Sequence, residues 1–285
     1  YALNGAEPVA VSSLRAFQKR FAPWGLRTEA LTPVYGLAES CLAVTFSDAT
    51  QPFTTRRLDP SALQAGHAVP HSEGVEMVSV GAPVLGCAIE IRDETQRPLP
   101  SGCVGTIWTR GPSVMRGYID RTEQPIVDGW LDTGDLGFIL DDELFITGRK
   151  KDVIIIRGKN HSPHDIEQAV NEIPGVRTGC AAAFSTVTEG HERLVLLVEV
   201  RQQTSELPEL IQRAVRQHVG LTLDDISLLE PGTLPRTSSG KIRRAEARRL
   251  WQANELDAPK AVTASLIAGT LGKSALGHLQ SRFTR

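Results

Sequence analysis

Apolar residues recur at helical intervals between residues 11 and 24, and short extended runs flank them on both sides. This spacing predicts a helix over 11–24 that is capped by Ser12 or Ser13. Together with the flanking strands, residues 1–36 form a predicted strand–helix–strand unit. Such a unit implies a parallel sheet.

The pattern changes in the middle of the chain. Residues 51–76 are rich in Pro, Ser, Thr, Gly and His and show no sustained period, so we expect a long loop or insertion there. Short alternating β-rich runs, separated by turns such as "LPSG" and "GPS", then extend to residue 148. These runs predict a β-subdomain with the form of a distorted barrel.

Residues 152–256 combine strand-like and helical runs over a length that suits one small domain. The runs "CAAAFS" and "RLVLLVEVR" are predicted strands, and a helix is predicted to begin at Ser162 with Pro163 in its first turn. The expected fold class is therefore α/β, with α+β character in the β-rich part. Residues 257–285 are rich in small residues and are predicted to form a tail or linker.

Composition is that of a globular protein and excludes several functional classes. Of the 285 residues, 41% are hydrophobic and 22% charged, and a formal net charge of −2 argues against a nucleic-acid or membrane-surface partner. Apolar runs stay well below the ~18 residues of a membrane span. The four cysteines have no metal-binding spacing, so we expect reduced thiols in a cytoplasmic protein. Because the chain begins at Tyr1, we expect that a preceding segment is missing.

A basic loop late in the chain, "LPRTSSGKIRR" over residues 234–244, raises the question of phosphate binding. The loop is not a P-loop, because Pro235 replaces a glycine of that motif and Ile242 replaces its magnesium-binding hydroxyl residue. The sequence also lacks the G-x-G-x-x-G fingerprint of dinucleotide-binding folds. Taken alone, this loop is typical of a solvated basic surface.

Four motifs follow one another in a fixed order: "VYGLAES", "GWLDTGDLGFI", "GRKKDVIIIRGKNHSPHDIE" and "PRTSSGKIRR". Together they resemble the acyl-adenylate-forming (AMP-binding) superfamily, and they are most similar to its fatty acyl-AMP ligases. The resemblance implies the C-terminal portion of such an enzyme. Its parts would be the end of a large AMP-binding domain with a β-barrel-like subdomain over 1–148, a hinge at 149–151, and a small mobile α/β domain over 152–256. The sequence departs from the family at Ala38, where many relatives have threonine, and in lacking the family's Gly- and Ser/Thr-rich phosphate loop.

The same resemblance implies a reaction. ATP, with Mg²⁺, would activate a fatty acid as the acyl-adenylate and release pyrophosphate. The acyl group would then pass to the phosphopantetheine thiol of an acyl carrier protein or of a polyketide or nonribosomal peptide synthase. Lys241 would be the catalytic lysine, Glu39 the magnesium ligand and Lys151 the hinge residue. The implied nucleotide-binding residues are Gly5, Ala6, Glu7, Tyr35, Gly36, Ala38, Asp135 and Arg149.

Two other functions stay open. Fatty acyl-AMP ligases carry an insertion in the region between Glu39 and Val78, and the resemblance associates it with loss of CoA use. A long segment here favours a carrier-protein acceptor, with a long-chain acyl-CoA ligase as the alternative. An alternative of another class is a non-catalytic fragment or interaction module, because the phosphate loop is absent. For the same reason we expect these 285 residues alone to be inactive.

Overall fold

The computed structural model describes residues 1–119, 121–156, 158–188 and 191–258. The predicted tail, residues 257–285, therefore lies almost entirely outside the described residues.

The amino-terminal part contains a small mixed sheet. Its elements in chain order are β1 (Ala2–Asn4), α1 (Val11–Phe21), β2 (Leu31–Tyr35), β3 (Thr45–Phe46), β4 (Thr55–Leu58), α2 (Pro60–Gln64), β5 (Val75–Val78) and β6 (Ala82–Pro83). The sheet order is β1-β2-β3-β6, and the β1–β2 pair is parallel, which confirms the predicted strand–helix–strand unit. The predicted serine cap is wrong. Helix α1 begins at Val11 after an extended Ala10, so that Ser12 and Ser13 lie inside it.

Residues 51–76, predicted as a long loop or insertion, contain a short helix and most of a β-hairpin, so the segment is partly regular. Strands β4 and β5 pair antiparallel, with Leu58 opposite Val75. Helix α2 follows β4, and the Asp59 carboxylate accepts a hydrogen bond from the N–H of Ala62 at 2.7 Å as its cap. Strand β5 falls at the start of the predicted β-rich runs, whereas β4 is short and largely polar, so the pairing of the two strands was not predicted.

The middle of the chain forms a five-stranded antiparallel sheet, as the β-rich runs predicted. Its strands are β7 (Ala88–Arg92), β8 (Gly105–Arg110), β9 (Ile126–Val127), β10 (Trp130–Leu140) and β11 (Glu143–Arg149). The order is β11-β10-β8-β7, with β9 on the edge of β10. On one face, the Phe138 and Phe145 rings are fully buried and stack with centroids 5.0 Å apart.

The last part of the described chain packs helices on both faces of a three-stranded sheet. Its elements are β12 (Ile154–Ile156), β13 (Lys159–His161), α3 (Pro163–Ala169), β14 (Val176–Thr188), β15 (His191–Val200), α4 (Leu207–Val219), β16 (Asp225–Leu229) and α5 (Arg244–Gln252). Leu194, Leu196 and Val198 of β15 pack with α3 and α4, whereas Val195 and Leu197 pack with α5. Burial of both faces explains why "RLVLLVEVR" is almost continuously apolar. Ser162 does precede α3, but its side chain makes no capping hydrogen bond.

Arg244, the first residue of α5, joins several parts of this region through its guanidinium group. It contacts Asp152 at 2.9 Å and Glu167 at 2.8 Å, and these three side chains are 14–22% exposed. Oε1 of Glu167 also accepts a hydrogen bond from the N–H of Ala183 on β14 at 2.9 Å. Because Arg244 lies three residues after Lys241, this ion cluster ties the base of the basic loop to the turn that follows β11.

The basic loop itself is a short hairpin. The N–H of Thr237 donates to the carbonyl of Lys241 at 2.8 Å, and the N–H of Lys241 donates to the Thr237 hydroxyl at 3.1 Å. At the other end of the loop, the N–H of Leu234 donates at 2.9 Å to the carboxylate of Glu199, a fully buried residue. One end of the hairpin is therefore anchored on β15 through Glu199, and Arg244 ties the other end to Asp152 and to Glu167 of α3.

We predict that Arg244→Met lowers the free energy of unfolding by about 2 kcal/mol, because it leaves two half-buried carboxylates without their charged partner. Arg249→Met, on the same helix, is the matched control. Its side chain is 57% exposed and pairs with Glu246 and Glu255, so the expected loss is below ~1 kcal/mol. Urea denaturation followed by tryptophan fluorescence measures both losses. Equal losses in the two variants would contradict the structural role given to Arg244.

Candidate active site

Asp135 is the centre of the candidate site. The residue is 5% exposed, and its two carboxylate oxygens have different partners. Oδ2 accepts a hydrogen bond from the Tyr35 hydroxyl at 2.8 Å, and Oδ1 lies 2.7 Å from Nε of Arg149. A carboxylate accepts about four hydrogen bonds, so each oxygen keeps an acceptor position for another donor. The structure thus joins three of the predicted nucleotide-binding residues, from β2, β10 and β11.

Burial dominates the electrostatics of this group. It raises the pKa of the Asp135 carboxyl above its ordinary value, and the Arg149 guanidinium opposes that rise. Burial also raises the pKa of Tyr35, and the neighbouring Asp135 carboxylate raises it further. Tyr35 therefore stays a neutral hydrogen-bond donor. The Arg149 side chain is 54% exposed, so this side of the site is open to solvent.

An irregularity in β10 determines where Asp135 lies. The pairing of β10 with β8 is regular up to Asp132 and resumes at Leu136, with a register shift between them. Gly134, inside this interval, has φ +69°, a left-handed conformation that glycine adopts without strain. Asp135 is thus the last residue of a bulge, a feature that commonly re-aims a side chain next to an active site.

Glu39 lies in a single 3-10 turn, Ala38–Ser40, directly after β2. Its Oε1 accepts a hydrogen bond from the Tyr118 hydroxyl at 2.5 Å, and its carbonyl accepts one from the N–H of Met115 at 2.7 Å. The Gln124 side chain holds Tyr118 through both its N–H and its carbonyl, at 2.6 and 2.9 Å. The bond from Tyr118 lowers the pKa of Glu39 and raises that of Tyr118.

An open cavity of about 300 Å³ lies between Glu39 and the β10 bulge. Its polar lining consists of Glu39, Tyr118, Arg121, Asp132, Thr133 and Gly134. A larger, shallower depression of about 520 Å³ lies along α4 and contains none of the predicted site residues. Of the two, the smaller cavity is the one lined by a predicted site residue, Glu39.

Gly36 makes the turn of Glu39 possible. A Cβ added at Gly36 would lie 1.5 Å from the carbonyl oxygen of Leu42, so no side chain fits where the loop folds back. At Gly5, an added Cβ would lie 2.6 Å from the carbonyl oxygen of Val34. In the structure, the lack of a side chain at Gly5 therefore lets β1 pack closely against β2.

The other predicted nucleotide-binding residues lie at the surface. Ala6 and Glu7 follow β1 and are exposed, with Ala6 at φ +69°. Ala38 is the exposed first residue of the turn that carries Glu39.

Lys241 is not joined to the Asp135 site. Across the described residues, no hydrogen bond or ion pair connects it with Asp135 or Glu39, and its ammonium group has no partner. Lys151 is exposed and occupies the 3-10 turn Lys150–Asp152, directly after β11. The predicted hinge residue is thus two positions after Arg149.

Sequence reasoning missed Tyr118 and Thr133. Tyr118 lies in an irregular segment, "MRGYIDRTEQ", whose spacing carries no signal of a site. Its contact with Glu39 joins residues 79 positions apart. Thr133 belongs to the motif "GWLDTGDLGFI", in which we assigned a role only to Asp135, two positions later.

Comparison with known families gives two matches along the chain. Residues 1–119 match the family described as "AMP-binding enzyme". Residues 151–261 match the "Disco-interacting protein 2-like, AMP domain". One finding concerns membranes: within the described ranges, no helix is both long and apolar enough to cross a bilayer.

Curated relatives cover most of this chain. It is 36% identical to the long-chain-fatty-acid–AMP ligase FadD23 of Mycobacterium tuberculosis over 277 residues, which cover 89% of this chain and 47% of the relative. It is 38% identical to FadD26, another long-chain-fatty-acid–AMP ligase of Mycobacterium tuberculosis, over 272 residues. This alignment covers 85% of this chain and 46% of FadD26. The chain thus spans about half the length of the curated relatives it matches.

Solved structures give the same relationship. A fatty acyl-adenylate ligase, from work on the Escherichia coli and Legionella pneumophila enzymes, aligns with a TM-score of 0.80 and 37% identity, covering 89% of this chain and 47% of the other. A keto acid-selecting nonribosomal peptide synthetase module aligns with a TM-score of 0.79 and 32% identity, and the alignment covers 90% of this chain and 23% of the module. The chain belongs to the AMP-binding superfamily of acyl-adenylate-forming enzymes, and within it is similar to the fatty acyl-AMP ligases.

Proposed function

We propose that the protein carrying this chain activates a fatty acid with ATP, forming the acyl-adenylate and pyrophosphate. The observation that carries the proposal is the buried Asp135 carboxylate, held by Tyr35 and Arg149 beside the Glu39 cavity. Two acceptor positions on one rigid carboxylate match the two hydroxyls of a ribose. The printed names of FadD23 and FadD26 as long-chain-fatty-acid–AMP ligases support the substrate class.

Other groups complete the proposed nucleotide site. The Tyr35 ring would lie against adenine while its hydroxyl holds Asp135. Gly5, Ala6 and Glu7 would border the base, and Gly36 and Ala38 would shape the turn beneath it. Arg149 contacts Asp135 through Nε, and its other N–H groups would contact the ribose or the phosphates.

The reaction joins two anions, so the site must supply positive charge. A fatty-acid carboxylate oxygen attacks the α-phosphorus, a new acyl O–P bond forms, the bond to the β-phosphate oxygen breaks, and pyrophosphate leaves. The Lys241 ammonium would bridge the carboxylate and the α-phosphate oxygens, where charge develops in the transition state. Since Lys241 is on an anchored hairpin, it would reach the site by rotation of residues 152–256 about Lys151.

Glu39 suits Mg²⁺. Its Oε1 is bonded to Tyr118, whereas its Oε2 makes no hydrogen bond with another described residue. Over the described ranges, no group of three or more His, Cys, Asp or Glu side chains could hold a metal by itself. Mg²⁺ is commonly held by one or two carboxylates together with substrate phosphates, so Glu39 would supply a protein ligand. The bound ion would neutralise charge on the phosphates.

We also propose a carrier-protein thiol as the acceptor. Hairpin β4–β5 and helix α2 contact elements on both sides of the predicted hinge. Arg56 pairs with Asp141 at 3.0 Å, and the Gln64 amide donates to Nδ1 of His161 at 3.1 Å. Burial lowers the pKa of His161, which keeps the ring neutral and able to accept. Rotation about Lys151 would break the contact between Gln64 and His161. We propose that the hairpin makes the CoA-using orientation less populated than the orientation that delivers Lys241, and a bias of about 3 kcal/mol would lower that population more than a hundredfold.

We predict that Lys241→Ala in the full-length protein lowers the rate of pyrophosphate release by ~10²–10³ and leaves AMP binding nearly unchanged. The physical reason is that the ammonium acts mainly where transition-state charge develops. Arg243→Ala, which removes the next exposed cation of the same segment, is the control and should keep the wild-type rate. A wild-type rate in Lys241→Ala would contradict the role of Lys241.

Tyr118→Phe should raise the pKa of Glu39 toward its ordinary value of 4.5, because it removes the hydrogen bond that lowers it. A lowered carboxyl pKa stabilises the fold above the ordinary value and ceases to do so as pH falls through the folded-state pKa. The variant should therefore lose stability at neutral pH, and the loss should shrink in acid. Carbon-13 NMR titration of the glutamate carboxyls checks the shift, with Glu29 as internal control since its own backbone and Thr28 lower its pKa. An unmoved Glu39 titration would contradict this.

Shortening the hairpin should raise acyl-CoA formation at the expense of carrier-protein loading. Because Leu58 and Val75 are paired, Asn-Gly can replace residues 59–74 and keep β4 and β5 joined. Gln64→Ala is a milder variant that removes only the contact with His161, and Gln51→Ala is its exposed control. Acyl-CoA yield with fatty acid, ATP, Mg²⁺ and CoA measures the effect. Robust acyl-CoA formation by the wild type would favour a CoA ligase.

A further inference from the structure

We infer that Thr133 is a positioning residue that sets the preference of this site for ribose over deoxyribose. The inference rests on the proposed function, in which Asp135 binds the ribose hydroxyls. Thr133 touches no predicted ligand in that scheme. It acts through Asp135: its hydroxyl holds the backbone of that residue and also interacts with the side chain of Tyr35, which bonds the Asp135 carboxylate.

The bulge in β10 leaves hydrogen-bonding groups that the sheet does not pair. Residues 133–135 of β10 lie opposite the single residue Ile107 of β8, because Asp132 pairs with Trp108 and Leu136 with Thr106. Ile107 is completely buried, and a buried carbonyl without a partner is strongly disfavoured.

The Thr133 hydroxyl satisfies both sides of this irregularity. It donates to the carbonyl of Ile107 at 2.7 Å and accepts from the N–H of Asp135 at 3.1 Å. One oxygen atom thus links β8 to the peptide group of Asp135. The Asp132 carboxylate caps the middle of the bulge by accepting the N–H of Gly134 at 2.9 Å.

The side chain of Asp135 is held by Tyr35 and Arg149, and Thr133 supports this arrangement by holding the Asp135 backbone at the bulge and by its own interaction with Tyr35. Loss of the hydroxyl would leave the Asp135 N–H and the Ile107 carbonyl unpaired, and the bulge would relax toward other partners. A small displacement of Asp135 is enough to misalign hydrogen bonds to two ribose hydroxyls, since such bonds weaken steeply with angle. Selectivity between ATP and its 2′-deoxy analogue should therefore report the position of Asp135 directly.

The test measures kcat/KM for ATP and for 2′-deoxy-ATP in adenylate formation by the full-length protein. We expect Thr133→Val to lower the ratio of kcat/KM for ATP to kcat/KM for 2′-deoxy-ATP about fivefold or more, mainly by raising the KM for ATP. A change of about fivefold corresponds to the loss of one typical hydrogen bond. Thr133→Ser keeps the hydroxyl and should keep the ratio. Thr109→Val is the matched control, because Thr109 is a fully buried threonine of the same sheet whose hydroxyl donates to the Ala88 carbonyl at 3.2 Å, away from Asp135.

Asp135→Asn separates the two possible failures. If Asp135→Asn loses the ratio while Thr133→Val retains it, the inference about Thr133 is wrong and the proposed function stands. If Asp135→Asn itself retains the ratio, the proposed ribose contact is wrong and the inference falls with it. A loss of the ratio in Thr133→Ser as large as in Thr133→Val would also overturn the role of the hydroxyl. If Thr133→Val does not fold, Thr133→Ala takes its place and the same ratio decides.

Discussion

A buried carboxylate needs hydrogen-bonding or charged partners, and the contacts that satisfy Asp135 connect the elements of this half of the molecule. Tyr35 on one sheet and Arg149 at the end of another meet on its two oxygens. Because an ionised group inside a protein is costly unless it is paired and hydrogen-bonded, this contact constrains how the two sheets pack together. It also brings the turn with Glu39 and the predicted hinge, which follow Tyr35 and Arg149 directly in sequence, to neighbouring positions.

The second half of the described chain is organised by charge in a similar way. Arg244 connects the turn after β11 with α3, and through Glu167 with β14, while the Lys241 hairpin starts from the buried Glu199. Lys241 is therefore held on a rigid element, whereas its ammonium has no partner among the residues that the structure describes. Such an arrangement suits a lysine that is delivered to the site by a domain movement and acts there as a single charge.

Periodicity and motif order predicted much of this structure from the sequence. The continuous apolar run of β15 and the alternating runs of the middle sheet report burial directly, so both were predictable. Tyr35, Asp135 and Arg149 were found because they belong to motifs with a fixed order. The pairing of β4 with β5 was not predicted, since β4 is short and largely polar and gives no periodic signal. Tyr118 and Thr133 were missed because their roles depend on a contact across 79 positions and on a strand bulge, which no local pattern encodes.

We propose that Asp135 holds the ribose of a nucleotide beside Glu39. A crystal structure of the full-length protein with bound AMP tests it most directly. We expect both ribose hydroxyls to lie within hydrogen-bonding distance of the Asp135 carboxylate, which should keep its contacts with Tyr35 and Arg149. AMP bound with its ribose away from Asp135, or in the depression along α4, would contradict it.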